Sequence, residues 1–135
     1  MIENLNGIHE LINYRENTHL MLYNNTQYED YPPHWHKPIE IIMPVDNTYT
    51  LSINSTTYEL QPYDIALIAP GVIHNLKAPS TGRRIIFQVD LDPIIKIYEI
   101  SIFSGLTVSH IIRNFYVNVF FGYIFKAVGT FFVAI

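Results

Sequence analysis

HWHKPIE, His34 to Glu40, sets two imidazoles and a carboxylate close together, and APGVIHN, Ala69 to Asn75, adds a third imidazole behind a Pro-Gly turn. Alternate side chains of an extended strand share a face. His34, His36 and Glu40 are therefore expected on one side, with Trp35, Lys37 and Ile39 on the other. A second strand that carries His74 alongside completes a set of three imidazoles and one carboxylate. Nitrogen and oxygen donors in that number suit a divalent transition metal.

Around these residues the strand signals are short and frequent. Thr18 to Tyr23, Pro38 to Met43, Thr48 to Ile53, Thr56 to Leu60, Asp64 to Ala69 and Arg83 to Val89 are rich in β-branched and aromatic residues. Turn formers separate them at Pro44 to Asn47, Asn54-Ser55, Gln61 to Tyr63, Pro70-Gly71 and Pro79 to Gly82. Tyr49, Leu51 and Ile53 alternate with Thr48, Thr50 and Ser52, the pattern of a half-buried strand. Asn54-Ser55 between two such runs predicts a tight hairpin. Many short strands at this spacing imply a sandwich or barrel.

The spacing of the polar residues resembles the two cupin motifs. The first motif carries His-x-His, then Glu, then a turn Gly. Here these are His34, His36, Glu40 and, in place of the Gly, Asn47, which also tolerates positive φ. The second carries Gly, then Pro-x-Gly, then His. Here Tyr63 replaces the first Gly and Ala69 the Pro, while Gly71 and His74 keep their places. Pro-Pro before His34, TYELQPYDIALIAPGVIHNL in the middle and GRRIIFQVD at the end look like the N-terminal sensory and dimerisation domain of AraC-type bacterial transcription regulators. This likeness covers roughly residues 15 to 95.

The resemblance implies a mainly β fold, the cupin double-stranded β-helix or jelly-roll barrel, followed by a short helical C-terminal segment. It implies a sensory barrel with an N-terminal arm over residues 1–95, and a helical or hydrophobic segment over 96–135. A small polar effector such as a sugar is expected to contact His34, His36, Glu40 and His74 and to change how the arm and the following helix pack. The same four residues are the candidate ligands for zinc, manganese, iron or nickel, although such domains also work without metal. Two copies are expected to pair. A metal-dependent cupin enzyme, an isomerase or dioxygenase, is the competing expectation, and a structural cupin without a ligand is a third.

Composition narrows the remaining classes. At 135 residues the chain has room for one ordinary domain and not for a multidomain enzyme. Hydrophobic residues make up 49% and charged ones 15%, enough apolar surface to offset the entropy of ordering. A net charge of −4, with Arg83-Arg84 as the longest basic run, offers phosphate backbones nothing to hold, so nucleic-acid binding by this chain alone is not expected. Without cysteine there is neither a disulfide framework nor a thiolate metal site. The polar N-terminus lacks the basic and apolar regions of a secretory signal, and a cytoplasmic, membrane-free location is expected.

All twelve acids fall in residues 1–99, whereas 100–135 hold only Arg113 and Lys126. After Pro93, IIKIYEISIF reads as an amphipathic helix. The 21 residues from Phe115 to Ile135 are nearly all apolar and reach the length of a membrane span. A core or dimer helix, a truncated or frame-shifted end, and a membrane anchor all remain open readings of that run.

Several residues have plainer expectations. Trp35 is expected to pack on the outer face of its strand, and Tyr63 to alter a turn rather than bind. Of Arg83 and Arg84, one points out to solvent and one inward, where it can hold an anionic group. His9, His19 and His110 lack partners at ligand spacing. Asp46-Asn47 and Asp64 are turn formers, and the segment up to Arg15 shows no pattern.

Overall fold

Alternation of apolar and polar residues becomes alternation of burial wherever one sheet face meets another. The computed structural model describes residues 4–15, 18–26, 28–93 and 110–112. An N-terminal hairpin is formed by β1 (Leu5–Asn6) and β2 (His9–Glu10). One sheet holds β3 (Leu20–Asn25), β5 (Ile39–Asp46), β8 (Ile65–Ile68), β10 (Arg83–Val89) and β11 (His110–Ile112), in the order β11-β8-β5-β10-β3. The other holds β4 (Tyr31–His34), β6 (Tyr49–Ile53), β7 (Thr56–Leu60) and β9 (His74–Lys77), in the order β4-β9-β6-β7. The neighbours within each sheet pair antiparallel.

The two sheets face each other across one core. Ile42, Ala66, Ile68 and Ile86 from the first pack against Tyr49, Leu51, Ile53, Leu60 and Leu76 from the second. The chain crosses between sheets repeatedly, as a double-sheet jelly roll requires. On the outer face of β6 and β7 the polar residues pair across strands, with Thr50 Oγ1 donating to Glu59 Oε1 at 2.9 Å.

The turns follow the chemistry expected of them. Asn47 takes a φ of 63° between β5 and β6 and donates its amide to the Thr81 carbonyl at 2.8 Å. Asn54, at a φ of 52°, starts the two-residue turn from β6 to β7. Asp64 accepts from the Gln61 amide at 3.0 Å and closes the turn into β8. Tyr63 in that turn has a φ of 69° and donates its backbone N–H to Pro44 at 2.8 Å.

Two expectations need correction. His34 to Glu40 is not one strand, because β4 ends at His34 and β5 begins at Ile39, in the opposite sheet. Ile39 does point to the opposite face from Glu40, its neighbour in β5, and is buried there. The segment before Arg15 is patterned after all, since β1 and β2 form a hairpin around Gly7, whose φ is 63°. Within the segment expected to be helical or hydrophobic, residues 110–112 pair with β8 as β11. The helix expected after Pro93 and the apolar run from Phe115 lie outside the described residues. No helix among the described residues is long and apolar enough to cross a membrane.

A left-handed φ at Tyr63 makes a clean prediction. The left-handed region costs a residue with a Cβ roughly 1–2 kcal/mol, partly offset by the greater freedom of glycine in the unfolded chain. Tyr63→Gly should therefore exceed Tyr63→Ala in stability by about 1 kcal/mol in urea unfolding. The reverse order would show that this turn carries no such strain.

Candidate functional site

Three separate pieces of backbone deliver the site. His34 closes β4 and His74 opens β9, and these two residues are direct partners in the antiparallel ladder. Partners across a ladder share a face, which brings their ring centroids to 4.2 Å. Glu40, the second residue of β5, lies opposite Gln88 of β10 and Ile68 of β8. His36 belongs to the connector between the sheets. The Gly71 amide, at a φ of 75°, donates to the His36 carbonyl at 2.9 Å and ties the Pro-Gly turn to that connector.

Each imidazole is oriented by its own backbone. The Nδ1 atoms of His34, His36 and His74 lie 2.8, 3.0 and 2.9 Å from the carbonyls of Pro32, Pro38 and Val72. A carbonyl only accepts, so each Nδ1 donates to it and each Nε2 faces the centre, where it donates to a carboxylate when protonated and can ligate a metal when not. His36 Nε2 and His74 Nε2 stand 2.5 and 3.0 Å from Glu40 Oε2. One donor atom from each of His34, His36, Glu40 and His74 lies within 4.8 Å of every other, and all four residues are buried.

The electrostatics follow from burial against neighbours. For Glu40, burial opposes the charge, yet the hydrogen bonds from His36 and His74 outweigh it and hold the carboxyl well below the usual carboxylate range. For His36, burial also opposes the charge, but the bond to Glu40 wins and raises its pKa. Burial, reinforced by His74, pushes His34 down to about 4. The result is one ionised carboxylate wrapped by imidazoles.

A second carboxylate was not anticipated from the sequence. Glu10 of β2 places Oε2 at 3.7 Å from His34 Nε2. Burial raises its pKa first, and the charge of Glu40 raises it further, while His36, His74 and Gln88 act against them. The signal for the hairpin was the Asn6-Gly7 pair, a turn former between residues able to pair. His9, which lacks partners at ligand spacing, stacks on Trp35 with centroids 3.9 Å apart and planes 6° from parallel. Trp35 thus packs outward against the hairpin rather than merely on its own sheet.

The donor set fits a divalent transition metal. Three imidazoles have Nδ1 held by a backbone carbonyl, the way groups bonded to a metal's ligands orient them in metal centres. The buried Glu10 Oε2 has no hydrogen-bond partner among the described residues, and a cation would satisfy it. Beside the cluster lies a cavity of about 560 Å³, lined among others by Glu10, Asn25, Tyr31, His34, Glu40 and Gln88. It reaches His34 and Glu40, while His36 and His74 are not among its lining residues. Of the arginine pair, Arg83 faces out beside Asp46 at 3.6 Å. Arg84 points inward, but its guanidinium lies 4.7 and 5.3 Å from the Tyr31 and Tyr49 rings and does not line the cavity.

Comparison with known proteins gives two kinds of match. The family described as the AraC-like ligand binding domain matches residues 18–95. Among solved structures, an RmlC-like cupin from Shewanella frigidimarina superposes with a TM-score of 0.51 at 17% identity, over 58% of this chain and 73% of that one. An apo ToxT variant from Vibrio cholerae superposes with a TM-score of 0.52 at 10% identity, over 87% of this chain and 49% of that one. At these identities the structural likeness shows the fold alone. No curated protein matches the chain in sequence.

His34 predicts a pH effect in metal-depleted protein. Its folded pKa is depressed from the ordinary 6.5 to about 4, so the unfolded chain binds more protons between those values. The stability it contributes is present above about pH 6.5 and is lost as pH falls towards 4. Urea unfolding across that window should fall less steeply in His34→Gln than in the parent. Equal slopes would show that His34 is not held neutral by burial.

Proposed function

The chain belongs to the AraC-like ligand binding domain family, and on that footing we propose that it senses a small polar effector, most simply a sugar, in the cavity beside Glu40. The observation that carries this reading is the cavity's chemistry. Its lining includes Asn13, Asn24, Asn25, Gln88, Tyr23, Tyr31, Glu10 and Glu40, with no lysine or arginine among the described residues. Amides, hydroxyls and carboxylates match ligands whose groups both donate and accept. Anionic ligands would meet two carboxylates and no cation.

In this reading His34 and Glu40 touch the effector, while His36 and His74 position Glu40 through the bonds at 2.5 and 3.0 Å. His34, His36, Glu40 and His74 can also hold zinc, manganese, iron or nickel, which when bound supplies a Lewis-acid anchor for effector oxygens. Two copies pair, and DNA contact belongs to another part of the regulator, because a net charge of −4 does not favour phosphate binding. The effector acts by its differential affinity for two packings of the domain, which is all that a ligand can use to move an equilibrium.

The preset Nε2 atoms also favour a second reading, a metal-dependent cupin enzyme such as an isomerase or dioxygenase. Among the described residues, Glu10 is the one carboxylate in the cavity lining beyond the four-residue cluster that could act as acid or base. Turnover of a bound ligand would select this reading over sensing.

Calorimetric titration of neutral sugars, polyols and sugar acids decides the main point. Neutral polyhydroxyl ligands should bind and sugar acids should not. Glu40→Gln, which keeps the side-chain shape, and His36→Ala should weaken the binding by about 1–3 kcal/mol per hydrogen bond lost to a buried group. Heat from none of these ligands, or binding unchanged in both variants, would contradict the proposal.

A further inference from the structure

Glu10 is a half-buried carboxyl, hydrogen-bonded by Gln88, without an evident purpose in the barrel itself. It sits on a two-residue strand, yet the backbone around it is tightly placed. The Glu10 amide donates to the Trp35 carbonyl at 2.9 Å, the Trp35 amide donates to the Ile8 carbonyl at 2.9 Å, and Leu11 closes the hairpin onto Asn4 at 3.1 Å. Together with the His9–Trp35 stack, these bonds fix the hairpin to the residue between His34 and His36. Its carboxylate consequently faces the imidazole cluster.

Two features of that placement suit a cation. Glu10 Oε2 is buried and has no hydrogen-bond partner among the described residues, although His34 Nε2 is only 3.7 Å away. Glu10 and Glu40 also line the same cavity beside the same histidine, so two carboxylates face one space. Buried like charges repel strongly unless a positive charge lies between or beside them.

We propose that Glu10 is a fifth donor of the buried centre, so that a divalent transition metal is held jointly by the barrel, through His34, His36, Glu40 and His74, and by the N-terminal hairpin. Metal binding and hairpin docking are then one equilibrium. Three neutral imidazoles and two carboxylates carry −2, which balances a divalent ion, whereas the four-residue set alone leaves a net +1 in a buried space. The hairpin thereby completes the charge of the site as well as its coordination. This inference rests on the reading of the four barrel residues as a metal site.

Zinc titrated calorimetrically into the chelator-treated full chain tests it, with Glu10→Gln beside the parent and His36→Ala as a control at the barrel ligands. The parent should bind one zinc ion per chain. Glu10→Gln should bind it about ten- to a hundredfold more weakly, the range seen when a supporting group at a metal centre is lost. Thermal melts add a sign that a structural role would not produce. Without zinc, Glu10→Gln relieves the repulsion with Glu40 and should melt higher than the parent, whereas with saturating zinc it should gain less from the metal. Zinc affinity unchanged in Glu10→Gln but reduced in His36→Ala would overturn the inference and leave the barrel site standing. No zinc binding by the parent would remove both. A lower melting temperature of Glu10→Gln by the same amount with and without zinc would make Glu10 a structural residue and also overturn it.

Discussion

Glu40 has its carboxylate buried inside the barrel, and the order of the surrounding residues follows from the need to keep it charged there. Leaving a buried carboxylate unpaired costs on the order of 3–5 kcal/mol, a large share of a small domain's stability. Two Nε2 atoms from His36 and His74 meet that need. Those rings hold their positions because carbonyls at Pro38 and Val72 accept from the opposite nitrogens. The carbonyls in turn are set by the connector out of β4 and by the Pro-Gly turn into β9, which the Gly71 amide joins to His36. Side-chain chemistry and backbone path are therefore one constraint.

The jelly roll was legible because its strands alternate in the ordinary way. Tyr49, Leu51 and Ile53 are buried, with Thr50 and Ser52 turned outward. The meeting of His34, His36, Glu40 and His74 was legible too, although its premise was not. Parity along a single strand cannot explain it, because the chain changes sheets between His34 and Ile39. What brings the residues together is a sheet crossing with the same apparent spacing. Tyr63 and Asn47 were readable as turn positions because each stands where a Gly is otherwise expected, and both have positive φ.

Glu10 and His9 were missed for a physical reason. Strands of two residues, Leu5–Asn6 and His9–Glu10, are too short for any period to show, and their stability comes from Trp35 in another part of the chain. Local sequence carries only the Asn6-Gly7 turn. Arg84 shows the same limit from the opposite side. Its inward direction followed from alternation, but its place between the Tyr31 and Tyr49 rings, outside the cavity lining, depends on residues distant in sequence. Function is layered in the same way: the fold is shared by many chemistries, whereas the carboxylates and amides around the cavity belong to this chain.

The proposed centre has a direct spectroscopic signature. Zinc-edge X-ray absorption of the zinc-loaded full chain should show a shell of nitrogen and oxygen at about 2.0–2.2 Å with the outer-shell scattering of about three imidazoles. That result would place the ion on the converging Nε2 atoms. A spectrum of oxygen neighbours alone, without imidazole scattering, would contradict the account, because zinc would then be bound somewhere other than His34, His36 and His74.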